Sequence, residues 1–139
     1  MLARTRIRLL LLLAATSACA TSIVGIDDTR VPTGVWGGDH VALTFTEAGA
    51  HLEFDCASGD VTVPLTLDKT GRLEVDGVFI REHGGPIRSD EVPDRQPARY
   101  SGHVEGQTMT LEVTLTSSNE SVGSFTVTLG AEPRVRKCR

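Results

Sequence analysis

From Gly34 onward, apolar and polar residues alternate. Val41, Leu43 and Phe45 are interleaved with Ala42, Thr44 and Thr46. The same period of two runs through Leu52–Phe54–Cys56, Val61–Val63–Leu65–Leu67, Met109–Leu111–Val113–Leu115 and Phe125–Val127–Leu129. Successive side chains of a strand point to opposite faces, so each run predicts a strand with one buried and one wet face. Threonines crowd the wet positions and suit strands. Arg72 to Arg81 predicts a further strand, which Asp76-Gly77 could split into a hairpin or mark with a bulge. Tyr100 to Glu105 is another, and Val135 to Cys138 is expected as a short eighth. Pro64 cannot donate to a ladder, which places its run at an edge or a bulge.

Short polar segments separate the runs: Glu47-Ala48-Gly49, Ser58-Gly59-Asp60, Asp68-Lys69-Thr70-Gly71, Glu105-Gly106-Gln107 and Ser117-Ser118-Asn119-Glu120. Short links imply antiparallel neighbours. Only one connection is long, from His83 to about Ala98. No amphipathic helix or internal repeat is present. The expected fold is all-β, a small antiparallel up-and-down barrel of about eight strands, with a small β-sandwich as the alternative.

Residues before Gly34 read differently. Arg4, Arg6 and Arg8 precede five consecutive leucines, Leu9 to Leu13, and a run of small residues to Ala20. This is a signal-peptide pattern, too short for a spanning helix, which needs roughly 20 apolar residues. Two processing routes stay open. Ala18-Cys19-Ala20 fits cleavage after Ala20. Thr16-Ser17-Ala18-Cys19 resembles a bacterial lipobox, which would make Cys19 an acylated first residue and anchor the chain to a membrane by lipid. The expected organisation is a signal over 1–20, a tether over 21–33 and a barrel domain over 34–139. The expected location is the periplasm or, as a lipoprotein, the outer membrane; free secretion is the alternative.

Loss of the leader changes the charge. The full chain of 139 residues has 14 Lys and Arg against 18 Asp and Glu. Removing three arginines and no acid leaves a distinctly acidic domain. Nucleic acid and anionic membrane surfaces need a basic face, so neither is an expected partner. It also leaves Cys56 and Cys138 as the cysteines of the folded part. In an oxidising compartment they are expected to pair. A loop of that length contributes roughly 4–5 kcal/mol in the chain-entropy model.

Candidate chemistry is sparse. His40, His51, His83 and His103 are scattered without the spacing that aims two imidazoles at one metal, so no metal and no cofactor is expected. No phosphate cradle and no nucleophile elbow occurs, and the chain reads as a non-enzyme. His83-Gly84-Gly85 opens the long connection, whose charged members include Asp90, Glu91 and Arg95. Long loops in small domains are often functional, so these residues form the candidate loop for binding a small molecule or a protein.

Gly34-Val35-Trp36 resembles the first-strand signature of lipocalin-type barrels. That resemblance implies that Trp36 closes one barrel end under a basic residue, Arg134 or Arg136. Gly34-Val35-Trp36-Gly37-Gly38, Phe54-Asp55-Cys56, His83-Gly84-Gly85-Pro86 and the terminal Lys137-Cys138-Arg139 together resemble a group of short exported bacterial proteins, a likeness that carries no activity. Phe54-Asp55-Cys56 with Cys138 also resembles membrane-bound inhibitors of c-type lysozyme, small lipoprotein barrels. The functions in play are therefore an envelope binding module, a hydrolase inhibitor of the lysozyme-inhibitor sort, and a structural envelope lipoprotein.

The lipobox reading has a direct check. Cells expressing the full chain and fed labelled palmitate should incorporate label, and Cys19→Ala should abolish it. Unlabelled wild-type protein would leave ordinary cleavage after Ala20.

Overall fold

The alternating runs close on themselves. In a computed structural model, which describes residues 29–139, eight strands form a closed antiparallel barrel in sequence order. They are β1 (Gly34–Gly38), β2 (Val41–Phe45), β3 (Ala50–Phe54), β4 (Ala57–Val61), β5 (Arg72–Arg81), β6 (Asp94–Glu105), β7 (Thr108–Leu115) and β8 (Glu120–Leu129). Closure comes from β8 pairing with β1, with Trp36 opposite Leu129 and Gly38 opposite Val127. Residues 1–20, with the expected signal and Cys19, lie outside the described part.

The interior is filled. Trp36, Val41, Leu43, Met109, Val113, Leu115 and Val127 have no measurable exposure. They come from four different strands, β1, β2, β7 and β8, and each sits at an inward position of its strand's alternation. Tyr100 lies among them with its hydroxyl donating to the Val78 carbonyl oxygen at 2.8 Å. Burial, then the nearby Asp60 charge, pushes its ionisation upward, so it serves as a neutral donor.

Several expected boundaries move. The run Val61–Leu67 is not a strand. The strand is Ala57–Val61, and it contains the expected turn Ser58-Gly59-Asp60. The reversal falls instead at Asp55-Cys56, where Cys56 takes a positive φ of 53°. Tyr100 explains the shift. A Cβ on Gly59 would stand 2.2 Å from the Tyr100 hydroxyl, so the glycine provides a close approach and not a bend. Leu65 then leaves the sheet and plugs one barrel end with Val31. Asp76-Gly77 neither splits nor bulges β5, which pairs without interruption from Arg72–His103 to Arg81–Asp94.

Both termini also depart from expectation. The last part of the expected tether is packed. Val31 is buried, its amide bonds the Leu65 carbonyl at 3.2 Å, and the Leu67 amide bonds the Thr29 carbonyl at 2.5 Å. Val135–Cys138 adds no strand, and Gly34–Gly38 supplies the remaining member of the barrel. Residues 130–139 instead run alongside β1 and then over one rim. The Gly130 and Arg134 amides bond the Val35 and Gly38 carbonyls of β1 at 2.8 and 3.0 Å, and an isolated parallel bridge joins Arg134 to Asp39 just beyond the strand. The cation–π closure is replaced as well. Trp36 packs edge-on against Phe45 and donates from Nε1 to the Pro32 carbonyl oxygen at 3.1 Å. Arg134 lies on the surface, paired with Asp39 at 2.5 Å.

Gly59→Ala should destabilise the domain by about 1–3 kcal/mol in urea unfolding, as overpacking of a closed core does. Removing the phenolic oxygen by Tyr100→Phe should cost about 1–2 kcal/mol alone. In combination the two should be less damaging than their sum, because the second removes the atom the first collides with. Strict additivity would dissociate Gly59 from Tyr100.

Candidate functional site

The barrel has two dissimilar ends. One is stoppered by Val31, Leu65 and Phe45. The other carries the turn His40, the turn Asp55-Cys56, the long connection 82–93 and the turn 116–119. Most of the candidate residues collect at this second rim.

The C-terminal segment laces that rim. The His40 amide bonds the Arg134 carbonyl at 2.8 Å, and the Cys56 amide bonds the Arg136 carbonyl at 3.2 Å. Arg136 donates its own amide to Asp55 Oδ1 at 2.7 Å, and His40 Nδ1 lies 2.6 Å from Asp55 Oδ2. The Arg136 amide, then His40, holds the Asp55 carboxyl below the usual carboxylate range. Lys137 Nζ reaches Glu82 at 3.2 Å and the Ala57 carbonyl at 3.3 Å. A disulfide joins Cys138 to Cys56. Arg136, expected near Trp36, acts here through its backbone.

The long connection is shorter than expected, because Asp94–Pro97 already belong to β6. Its base is fixed where the Glu82 amide bonds the Cys56 carbonyl at 2.9 Å. His83 and Glu91 hydrogen-bond across the loop through Nε2 and Oε1. Arg88 to Glu91 closes a turn, with Arg88 and Asp90 paired at 3.3 Å. Gly84 passes so close to Arg139 that a Cβ would lie 2.5 Å from its carbonyl oxygen. Gly85 has a φ of +94° and open space around it. The candidate set thus divides. His83, Gly84, Gly85, Asp90 and Glu91 share one braced loop, whereas Arg95 lies in β6 opposite Ile80.

Two apolar residues of this loop went unremarked in the sequence. Ile87 is 79% exposed and Val92 is 87% exposed. They exceed every other large hydrophobic of the described part, and each adjoins a proline. Their signal was position: apolar residues inside a polar loop have no core to face.

A charged pair at inward positions was also missed. Arg81 stands opposite Ala57, and Glu120 stands opposite Leu115, both of which are buried. Arg81 and Glu120 therefore point over the barrel mouth and meet there at 2.8 Å, although β5 and β8 are not neighbours. Strand parity could have flagged Arg81. Glu120 was hidden because a register shift at Val113/Thr114 breaks the count along the ladder.

Among the described residues, no group of three or more His, Cys, Asp or Glu is placed to hold a metal ion. Each histidine has one carboxylate neighbour instead: Asp55, Asp60, Glu91 and, at a looser 3.9 Å, Glu105. On the barrel's outer wall, a groove of about 720 Å³ runs over Arg72, Glu74, Ser101, His103 and Glu112, flanked by Thr66–Asp68. Comparison with protein-family models, curated proteins and solved structures finds no match.

The His83–Glu91 contact makes the loop pH-dependent. The hydrogen bond to the Gly84 carbonyl, followed by that to Glu91, raises the His83 pKa, while His83 lowers that of Glu91. A raised histidine adds stability below its unfolded pKa and loses it as pH rises through the folded one. The lowered Glu91 loses its share only at acid pH. Bracing is therefore strongest in mildly acidic solution. Nuclear magnetic resonance titration should place His83 above a free histidine, and Glu91→Gln should lower it part of the way. Loop amides, corrected for intrinsic exchange, should be less protected at pH 8 than at pH 5.5. An unshifted His83 contradicts the brace.

Proposed function

We propose that this protein is an exported binding module that engages a partner protein through the 82–93 loop. One observation carries the reading. The barrel interior is occupied by its own side chains, while the most exposed large apolar residues, Ile87 and Val92, project from a loop braced at its base. Exposing two such side chains has no benefit for folding, and apolar surface of this kind commonly marks a contact site. Bracing lowers the ordering cost of association, because less loop freedom is lost on binding. Export accords with the leader-like residues 1–20 and with the disulfide, which an oxidising compartment favours.

A second reading makes the partner a hydrolase that the loop blocks. The observation favouring it is that the braced loop presents two exposed apolar side chains, Ile87 and Val92, which an enzyme cleft could take up. Its acidic residues Asp90 and Glu91 would complement a basic enzyme such as lysozyme. Lysozyme activity titrated with the purified domain separates the two, since inhibition lost in Ile87→Asp would favour the hydrolase.

Photo-crosslinking in the cells that make the protein tests the main reading. A crosslinking residue at Ile87 or Val92 should yield a discrete protein adduct. The same residue at Val63, 47% exposed and beyond the opposite end of the barrel, should not. Adducts of equal yield from both ends, or none from the loop, reject a dedicated contact.

A further inference from the structure

The barrel mouth has its own cavity, separate from the loop's apolar tips. Its volume is about 350 Å³. Phe79 and Val122 supply apolar lining, and the Cys56–Ala57 backbone forms one wall. Beneath it, Phe79 packs on Phe54 at 5.6 Å between ring centroids, and Phe54 packs on Phe125 at 5.0 Å. Val122 and Phe125 are only partly buried, so the apolar layer is open to the mouth. The charged lining consists of Arg81 against Asp55, Glu82 and Glu120.

We infer that this mouth binds a small organic cation, an amine carrying a compact apolar body. The cavity supplies a place for the body, and the charges select the sign. Three of the four charged lining groups are carboxylates. Asp94 adds a fourth acid on the same face, opposite Arg81. Asp55 is engaged with His40 and the Arg136 amide, and Glu82 with Lys137. Among the described residues, the Glu120 carboxylate is held by Arg81 alone, with both side chains about half exposed. An exposed pair of this kind is weak and readily exchanged. An ammonium group entering the mouth takes the place of the Arg81 guanidinium on Glu120. Arg81 swings into water, where it remains solvated. The apolar body settles on Phe79 and Val122. A ligand anion would have to face the acidic excess with Arg81 as its sole lining cation. This inference stands independently of the loop's partner.

The test is a titration of the mature domain with hexylammonium, hexanoate and hexanol, read by shifts of the Phe79 ring and Val122 methyl resonances. Hexylammonium should bind at least about tenfold tighter than either alternative, as a net attraction in a partly desolvated site provides. Added salt should weaken it. Glu120→Gln should lower its affinity about fivefold or more, and Arg81→Met should raise it, since each changes one side of the exchange. Both positions are exposed, and an unchanged near-ultraviolet spectrum of Trp36 will show that the barrel is intact. Hexanoate binding as tightly as hexylammonium, indifference to Glu120→Gln, or loss of affinity in Arg81→Met would each overturn the inference. So would the absence of shifts at Phe79 and Val122.

Discussion

Tyr100 seated over glycine is the contact on which the rest of this barrel depends. Eight short strands enclose a space a few side chains wide, and a Tyr with its hydroxyl bonded to Val78 occupies much of it. The ring fits because Gly59 and Gly77 offer no Cβ. One added at Gly59 would meet the hydroxyl oxygen at 2.2 Å, and one at Gly77 would meet the ring at 3.0 Å. Large and small residues must alternate around a small barrel if it is to close without voids. Filling the interior in this way excludes an internal calyx, so contacts with other molecules fall to the rims, the loops and the outer wall.

The two rims solve closure differently. At the stoppered end, residues leading into β1 pair with the segment after β4, and Val31 and Leu65 cover the core with ordinary apolar burial. At the other end the cover is polar and covalent. The C-terminal segment crosses successive turns, bonding backbone to backbone, and finishes in the Cys56–Cys138 bridge. The bridge closes a loop with a sequence separation of 82, and cross-links over long loops restrict the unfolded chain most. Such a strap leaves the mouth itself uncovered, with charged Arg81 and Glu120 at positions that elsewhere in the barrel are apolar.

Chemistry concentrates at this second rim for a physical reason. Inward positions deep in the barrel cannot bear charge without large desolvation costs, whereas those at the lip remain in contact with water. The loop 82–93 shares the same end because β5 and β6 are the longest neighbouring pair and carry their connection beyond the rest of the sheet. Its brace uses His83 and Glu91, both solvent-exposed, so it responds to protons without disturbing the core.

Alternation along the chain determined the fold class, the antiparallel order and most of the buried side chains, because a strand's period of two is a local property that survives any packing. The Cys56–Cys138 bridge was legible as well, given the reading that assigns Cys19 to the leader. The placement of β4 was a tertiary decision. Ser58-Gly59-Asp60 has turn chemistry, and only the Tyr100 ring across the barrel makes Gly59 a strand residue. The seat of Trp36 was decided similarly, by Phe45 and the Pro32 carbonyl, with Arg134 drawn away to Asp39. Loop residues His83, Gly84, Gly85, Asp90 and Glu91 were legible as a segment, but their mutual contacts were not. The meeting of Arg81 with Glu120 was invisible along the chain, because closure of β8 onto β1 brings together side chains that no local pattern relates.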